Sequence, residues 1–427
     1  MNVDNIVVLT TYTIVIVLAM FFLRRIKRAN PVFWFLLFQW IIASGTIIML
    51  DLSLPSDIQY TFILFLAIFS FIFGAAISMS HFDIQKRYSL FYTSPIEKDS
   101  QTSRMIVVFL AFFSFAITLI YYNAVGYNLL VDIVMGHDIL DFKSARLAAY
   151  SGENYYAPGI VNQFKNLLLP VCLYVIAAWL WLSGKKVSFR LAVLFIVPIL
   201  LYSLLGTGQR APLLYSFLAL LFGISTIAKI KIMKLVLVSV LIILIFGLFS
   251  VMNGRIQEFE TIEIIFQLLG RIFINEQEEG IWGFRYVIEQ DFPWFSDWGQ
   301  GILGILPGHK GSYLAHHLYY LIHGTDRGTS AITTVASSYY NGGLITVFLF
   351  YMFLGWGYMY LFGRFLSGKR TVLRCFSYGG LFFILSVFVS GPPVVLLNKG
   401  VLALMLLLFV RKFRFYSIKT SGIAAHV

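Results

Sequence analysis

Charge is scarce in this sequence. Of its 427 residues only 12% are Asp, Glu, Lys or Arg, about half the roughly 25% carried by soluble domains. Cysteine is nearly absent. The two present, Cys172 and Cys375, fall inside one apolar run and at the edge of another, so no disulfide framework or thiolate metal cluster is offered. No DxD triplet occurs that would hold a sugar nucleotide through a metal, and there is no Walker A motif and no GxGxxG after a strand pattern. Internal repeats and low-complexity tracts are missing too. These absences exclude the common nucleotide-dependent enzymes and metal-cluster proteins.

What is present is apolar: 59% of residues are hydrophobic and the mean hydropathy is +0.82. Polar surface cannot cover such a chain, so lipid must surround much of it. Apolar runs near 5–23, 32–50, 60–79, 105–122, 162–183, 190–206, 211–227, 235–252, 344–362, 376–391 and 394–410 predict eleven membrane-crossing helices in one integral domain over 1–427. Helices are expected because unpaired strand edges are intolerable in hydrocarbon. The first run is expected to remain as a span. It has no basic n-region or small-residue cleavage site, and four basic residues follow it at once.

Basic residues orient the set. The alternate connections 24–31, 80–104, 184–190, 228–234, 363–375 and the tail from 411 hold 22 of the 32 basic residues and three of the 20 acids, Asp83, Glu97 and Asp99. The other side holds 10 basic and 17 acidic residues, so the two faces carry +19 and −7. By the positive-inside rule the N-terminus is expected outside and the C-terminus in the cytoplasm. The net charge of +12 is then a topology signal whose partner is membrane lipid, with no role for nucleic acid.

Two outward loops are long. The first, 123–161, is rich in Tyr, Asn and acids; the second, 253–343, carries most of the external charge and four of the seven histidines. A mere connection needs only a few residues, so function is expected here, away from the cytoplasm. Within the second loop, residues 258–274 show apolar positions at helical spacing opposite an acidic face, which predicts an amphipathic helix on the outer leaflet. The stretch 291–312, "DFPWFSDWGQGILGILPGHKGS", is broken by Pro and Gly and loaded with aromatics suited to the headgroup layer or to sugar rings.

Several constellations carry chemistry. In "LLGTGQRAPLLYSF" (204–217), Arg210 follows a glycine-flanked turn at the start of a span. It reads either as an arginine snorkelling to the interface or as a fork gripping phosphate, and a costly charge at a membrane edge favours the latter. The strip "GTDRGTSAITTVASSYYNGG" (324–343) holds Asp326, Arg327 and a run of Ser and Thr. It suits either a close helix interface or the wall of a polar cavity. Arg255, Arg271 and Arg285 share the long loop with Glu276, Glu278 and Glu279; with Arg210 and Arg327 they place five guanidiniums on one side, a set suited to a diphosphate. His309, His316 and His323 recur every seven residues, with His317 adjacent, but Pro307, Gly308 and Gly311 interrupt the run, so no metal site is expected. A histidine acting as base fits better.

The glycine-flanked arginine of "GTGQRAPLL", the "WGQGILGILPG" of the long loop and "GTSAITTVASSYYNGGLITVFLFYMFLGW" (328–356) resemble the Wzy-type oligosaccharide repeat-unit polymerases, the O-antigen and capsule polymerases of bacteria. In topology the resemblance covers nearly the whole chain. It implies a GT-C-like, metal- and cofactor-independent glycosyltransferase in the bacterial cytoplasmic (inner) membrane, acting on undecaprenyl-diphosphate-linked oligosaccharides beside a flippase and a chain-length regulator. The related O-antigen ligases carry a histidine close before the late span. Here His323 stands about twenty residues before it and "AITTVASSYYNGG" has none, which disfavours that reading.

The residues point the same way. Outside the cell there is no nucleotide sugar, so a transferase there needs a pre-activated, lipid-diphosphate donor. Arg210, Arg327, Arg271, Arg285 and Arg255 are the expected diphosphate ligands. Glu276, Glu278, Glu279, Asp326 and His323 are the candidates for a general base. A flippase or exporter of lipid-linked oligosaccharide is the rival from another class, but transporters carry charges at mid-membrane and repeated halves, whereas here the span interiors are almost free of charge and no repeat is visible.

Overall fold

A computed structural model describes residues 3–136, 158–209, 211–228, 270, 276–304, 306, 311, 313–324 and 328–410, and in these the chain is all-helical with no strand. In chain order the helices are α1 (Val3–Leu23), α2 (Pro31–Met49), α3 (Pro55–Ser80), α4 (Ile84–Thr93), α5 (Gln101–Val125) and α6 (Leu129–Met135). A composite α7 follows, running Pro158–Gln163, through a π-helical turn Phe164–Leu168, into Leu169–Leu182. Then come α8 (Lys186–Leu205), α9 (Ala211–Ile227), α10 (Glu276–Val287), α11 (Ser296–Leu303), α12 (Leu314–His323), α13 (Thr334–Tyr340), α14 (Gly343–Leu366), α15 (Val372–Ser386), α16 (Val394–Asn398) and α17 (Val401–Val410).

Seven of these helices are long and apolar enough to cross a membrane: α1, α2, α3, α5, α7, α8 and α14. This is the make of a multi-pass membrane protein. Two expected spans, 211–227 and 376–391, are shorter apolar helices, α9 and α15. The expected span 394–410 is broken. Gly400 adopts φ 97° after Lys399, and the left-handed turn ends α16 before α17 starts. The expected span 235–252 and amphipathic helix 258–274 lie outside the described residues, apart from Gly270.

Local sequence explains where helices begin. Asn30 accepts the Val32 amide with Pro31 at the first helical position, and Ser100, Thr333 and Thr371 cap α5, α13 and α15 in the same way. Between helices, two glycines set the closest approach. A Cβ on Gly74 of α3 would fall on the Met352 carbonyl, and one on Gly355 of α14 would fall on the Phe71 carbonyl. Helices in lipid have no hydrophobic drive to associate, so close backbone contact of this kind supplies the packing. Gly355→Val is therefore expected to destabilise the protein by about 1–3 kcal/mol by overpacking, read as an earlier thermal transition in detergent. Gly357→Val, where a Cβ meets open space, is the control.

The basic connections converge. The Tyr92 hydroxyl donates to the Arg28 carbonyl (3.1 Å), Lys369 pairs with Glu97 (2.8 Å), and Arg370 donates to the Ser94 carbonyl (2.7 Å), so 24–31, 80–104 and 363–375 meet at one end of the bundle. The cations there cap helix ends. Arg370 reaches the last carbonyls of α9, and Arg374 donates to the Arg364 and Phe365 carbonyls at 2.6 and 2.8 Å. Cations at helix C-termini answer both the orphan carbonyls and the helix dipole. The end opposite carries the candidate site.

Candidate functional site at the end opposite the basic connections

Helix α10 is the platform of this end. Arg285 grips Asp57 of α3 with two parallel bonds, Nε to Oδ1 at 2.8 Å and Nη2 to Oδ2 at 2.6 Å. The Asp57 side chain is 1% exposed and that of Arg285 35%. The pairing raises the already high pKa of Arg285 further. One residue earlier, Phe284 stacks flat on Tyr60 with centroids 4.2 Å apart. Near the start of α10, Gln277 accepts from the Thr46 hydroxyl at 2.9 Å. The helix is thus held to α2 and α3 by an ion pair, a ring stack and a buried hydrogen bond.

The Ser/Thr strip is a buried interface. Ser330, Thr333, Thr334, Ser337 and Ser338 are all buried. Their hydroxyls, apart from that of Ser330, bond within the protein. Thr333 shares a hydrogen bond with Tyr60 (2.7 Å), Thr334 donates to the Gly391 carbonyl (3.0 Å), Ser337 accepts from Trp298 Nε1 (3.0 Å), and Ser338 donates to the Thr334 carbonyl (2.7 Å). Of the two readings of this strip, close packing describes its buried part. Asp297 and Asn341 tie it to the neighbouring helices: Asp297 accepts the Leu314 amide at 2.6 Å and the Asn341 side chain at 3.3 Å. Burial pushes the Asp297 carboxyl above its ordinary range, opposed by those two donors.

At the edge of this interface two predicted site residues come together. His323 closes α12, and its Nε2 stands 3.7 Å from Oε1 of Glu279, with the two side chains 40% and 33% exposed. The other carboxylate oxygen of Glu279 accepts the Ala331 amide at 2.9 Å, which fixes it against the start of the strip. The His323 ring packs on Tyr319 with centroids 4.3 Å apart. An accessible imidazole beside a carboxylate fixed by a backbone amide is an arrangement open to general-base chemistry. A second imidazole, His317, shares a 3.0 Å hydrogen bond with the Tyr286 hydroxyl.

The remaining predicted residues divide in two. Glu278 is exposed on the turn beside Glu279, and Glu276 opens α10, its side chain outside the described part. Arg210, Arg255, Arg271, Asp326 and Arg327 lie outside the described residues, as does His309. Arg285 is placed, and its fork is occupied by Asp57, so its present contact is an anchor for α10. Among the described residues no group of three or more His, Cys, Asp or Glu is set to hold a metal ion. Trp294 and Phe295 take φ of 47° and 70°, left-handed values unusual for aromatics, and both are exposed, as are Trp282, Ile302 and Leu303. Trp282, Trp294 and Phe295 are exposed aromatics of the type found at membrane interfaces.

Two charged residues that the sequence left unremarked are central to the structure. Asp57 sits in the first turn of a span, two residues after a proline. Lys165 sits inside an apolar span. For Lys165 the available signal was an ionisable residue within an apolar run; for Asp57, just ahead of the run 60–79, it was only an acid after Pro55 at the entry to a span. Compared with known protein families, with curated proteins and with solved structures, the chain shows no match.

Proposed function

We propose that the protein is a membrane glycosyltransferase that polymerises undecaprenyl-diphosphate-linked oligosaccharide repeat units into a surface polysaccharide, on the outer face of a bacterial cytoplasmic membrane. The observation that carries the reading is the Glu279–His323 pair. It is partly open, held by the buried Ser/Thr strip and by α10, and lies at the end away from the basic connections. His323 accepts the proton of a sugar hydroxyl on the incoming repeat unit as that oxygen attacks the anomeric carbon of the lipid-linked chain. The bond from that carbon to the diphosphate oxygen breaks, and lipid diphosphate leaves with its electron pair. Arg210 and Arg327, with Arg255 and Arg271, stabilise the charge that develops there. Glu279 orients the imidazole, and Arg285, through Asp57, positions the helix that carries Glu279.

The test is direct. Purified protein given lipid-linked repeat units, without nucleotide, is expected to build a ladder of longer glycans. Arg210→Ala is expected to insert normally while single-repeat glycan accumulates. Transfer of the units across a vesicle membrane without lengthening would replace this reading with a transporter.

A further inference from the structure

Lys165 is a cation with no evident counter-charge. It lies in the π-helical turn Phe164–Leu168 of α7 and is 1% exposed. Among the described residues no carboxylate pairs with its ammonium group. What faces Nζ is aromatic: the Tyr121 and Tyr122 rings, with centroids at 4.8 and 5.6 Å. Cation–π contact offsets only part of the cost of desolvating an ammonium ion. A π-helical turn is itself a costly local insertion and recurs at functional sites.

The surroundings are built and polar. The Ser203 hydroxyl donates to the Lys165 carbonyl at 3.0 Å, which seats the π turn against the last turn of α8. Tyr122 donates to the Ser203 carbonyl (2.8 Å), and the Asn128 side-chain amide donates to the Tyr202 backbone carbonyl (3.2 Å). Directly after α8, the turn Gly206–Thr207–Gly208 buries Thr207, 4% exposed, and its hydroxyl has no partner. The side-chain oxygen of Asn166, next to Lys165, is also buried and unpartnered. Among the described residues, an unpaired cation and an unused hydroxyl therefore lie where α5, α7 and α8 meet.

Position near the helix ends suits a lipid ligand. Tyr122 belongs to the last turn of α5 and Ser203 to the last turn of α8. The site thus lies about one helical turn, roughly 5 Å, inside the helix ends, within reach of a headgroup phosphate drawn toward a buried cation. We infer that Lys165, with the Thr207 hydroxyl, binds the phosphate or diphosphate group of a lipid between α5, α7 and α8. The inference rests on the proposed function only in naming undecaprenyl diphosphate as the expected source, the alternative source being a phospholipid headgroup.

The experiment uses the full chain in phosphatidylcholine nanodiscs, titrated with undecaprenyl diphosphate and, separately, with phosphatidylglycerol. Lys165→Met is expected to weaken undecaprenyl diphosphate binding about 10- to 100-fold, as loss of one partner of a buried charge pair does. Thr207→Val is expected to weaken it about threefold, the value of one neutral hydrogen bond. The melting temperature of Lys165→Met is expected to hold or rise, because an unpaired buried charge is removed; a purely structural lysine would lower it. Preference for undecaprenyl diphosphate assigns the site to substrate, and equal binding of phosphatidylglycerol assigns it to the surrounding bilayer. Either supports the phosphate site. Unchanged affinity in both variants overturns it, and Thr207→Val keeps that test available should Lys165→Met fail to insert. If binding needs Lys165 while the wild type builds no ladder, this site stands and the polymerase reading falls. An unaltered ladder from Lys165→Met, with wild-type lipid affinity, rejects this site alone.

Discussion

His323→Ala is expected to lower the rate of glycan lengthening by about 10²–10⁴-fold, the range that a positioned general base supplies. A hundredfold loss corresponds to about 2.7 kcal/mol of transition-state stabilisation. The imidazole is accessible, and Glu279 is the one described carboxylate paired with it. Glu279→Gln keeps an oxygen for the Ala331 amide but loses the negative charge beside the imidazole. Its loss is expected to be smaller, about tenfold. Both residues are partly exposed, so thermal stability should barely move. The measurement is the initial rate of ladder formation at saturating lipid-linked units. A His323→Ala protein that extends chains at the wild-type rate would remove this pair from the chemistry.

Arg285→Met is expected to cost about 3 kcal/mol of stability, the lower end for breaking a buried pair, because Arg285 keeps some contact with water. The loss comes from Asp57, whose carboxylate is left buried with no guanidinium. The double variant Asp57→Leu/Arg285→Met is expected to recover most of it, since apolar side chains of similar volume replace buried pairs at little cost. Thermal unfolding in detergent reads the cycle. The same three proteins separate two roles for Arg285. If it serves as an anchor, activity returns with the double variant. If it is a diphosphate ligand, the double variant folds and stays inactive.

Much of the architecture was legible because it is local. Most of the expected helices lie close to their observed positions, and the capping residues Asn30, Ser100 and Thr371 stand where apolar runs begin. The run 394–410 misled because hydropathy does not register a left-handed glycine, and Gly400 splits it. The Ser/Thr strip was visible as an anomaly but not as an interface. Whether a hydroxyl lines a cavity or bonds a neighbour depends on what packs against it, here Tyr60 and Trp298. Arg285 was picked out for its charge, yet its partner Asp57 lies 228 positions away.

By itself the sequence determined an apolar helical chain made to cross a membrane, with its basic residues in alternate connections. Hydropathy and backbone hydrogen bonding act within each helix and need no knowledge of its neighbours. Only the tertiary structure decided that Glu279 meets His323, that Asp57 neutralises Arg285 and that Lys165 is sealed among tyrosines. A buried charge takes its partner from whichever helix packs beside it, and that choice belongs to the bundle as a whole.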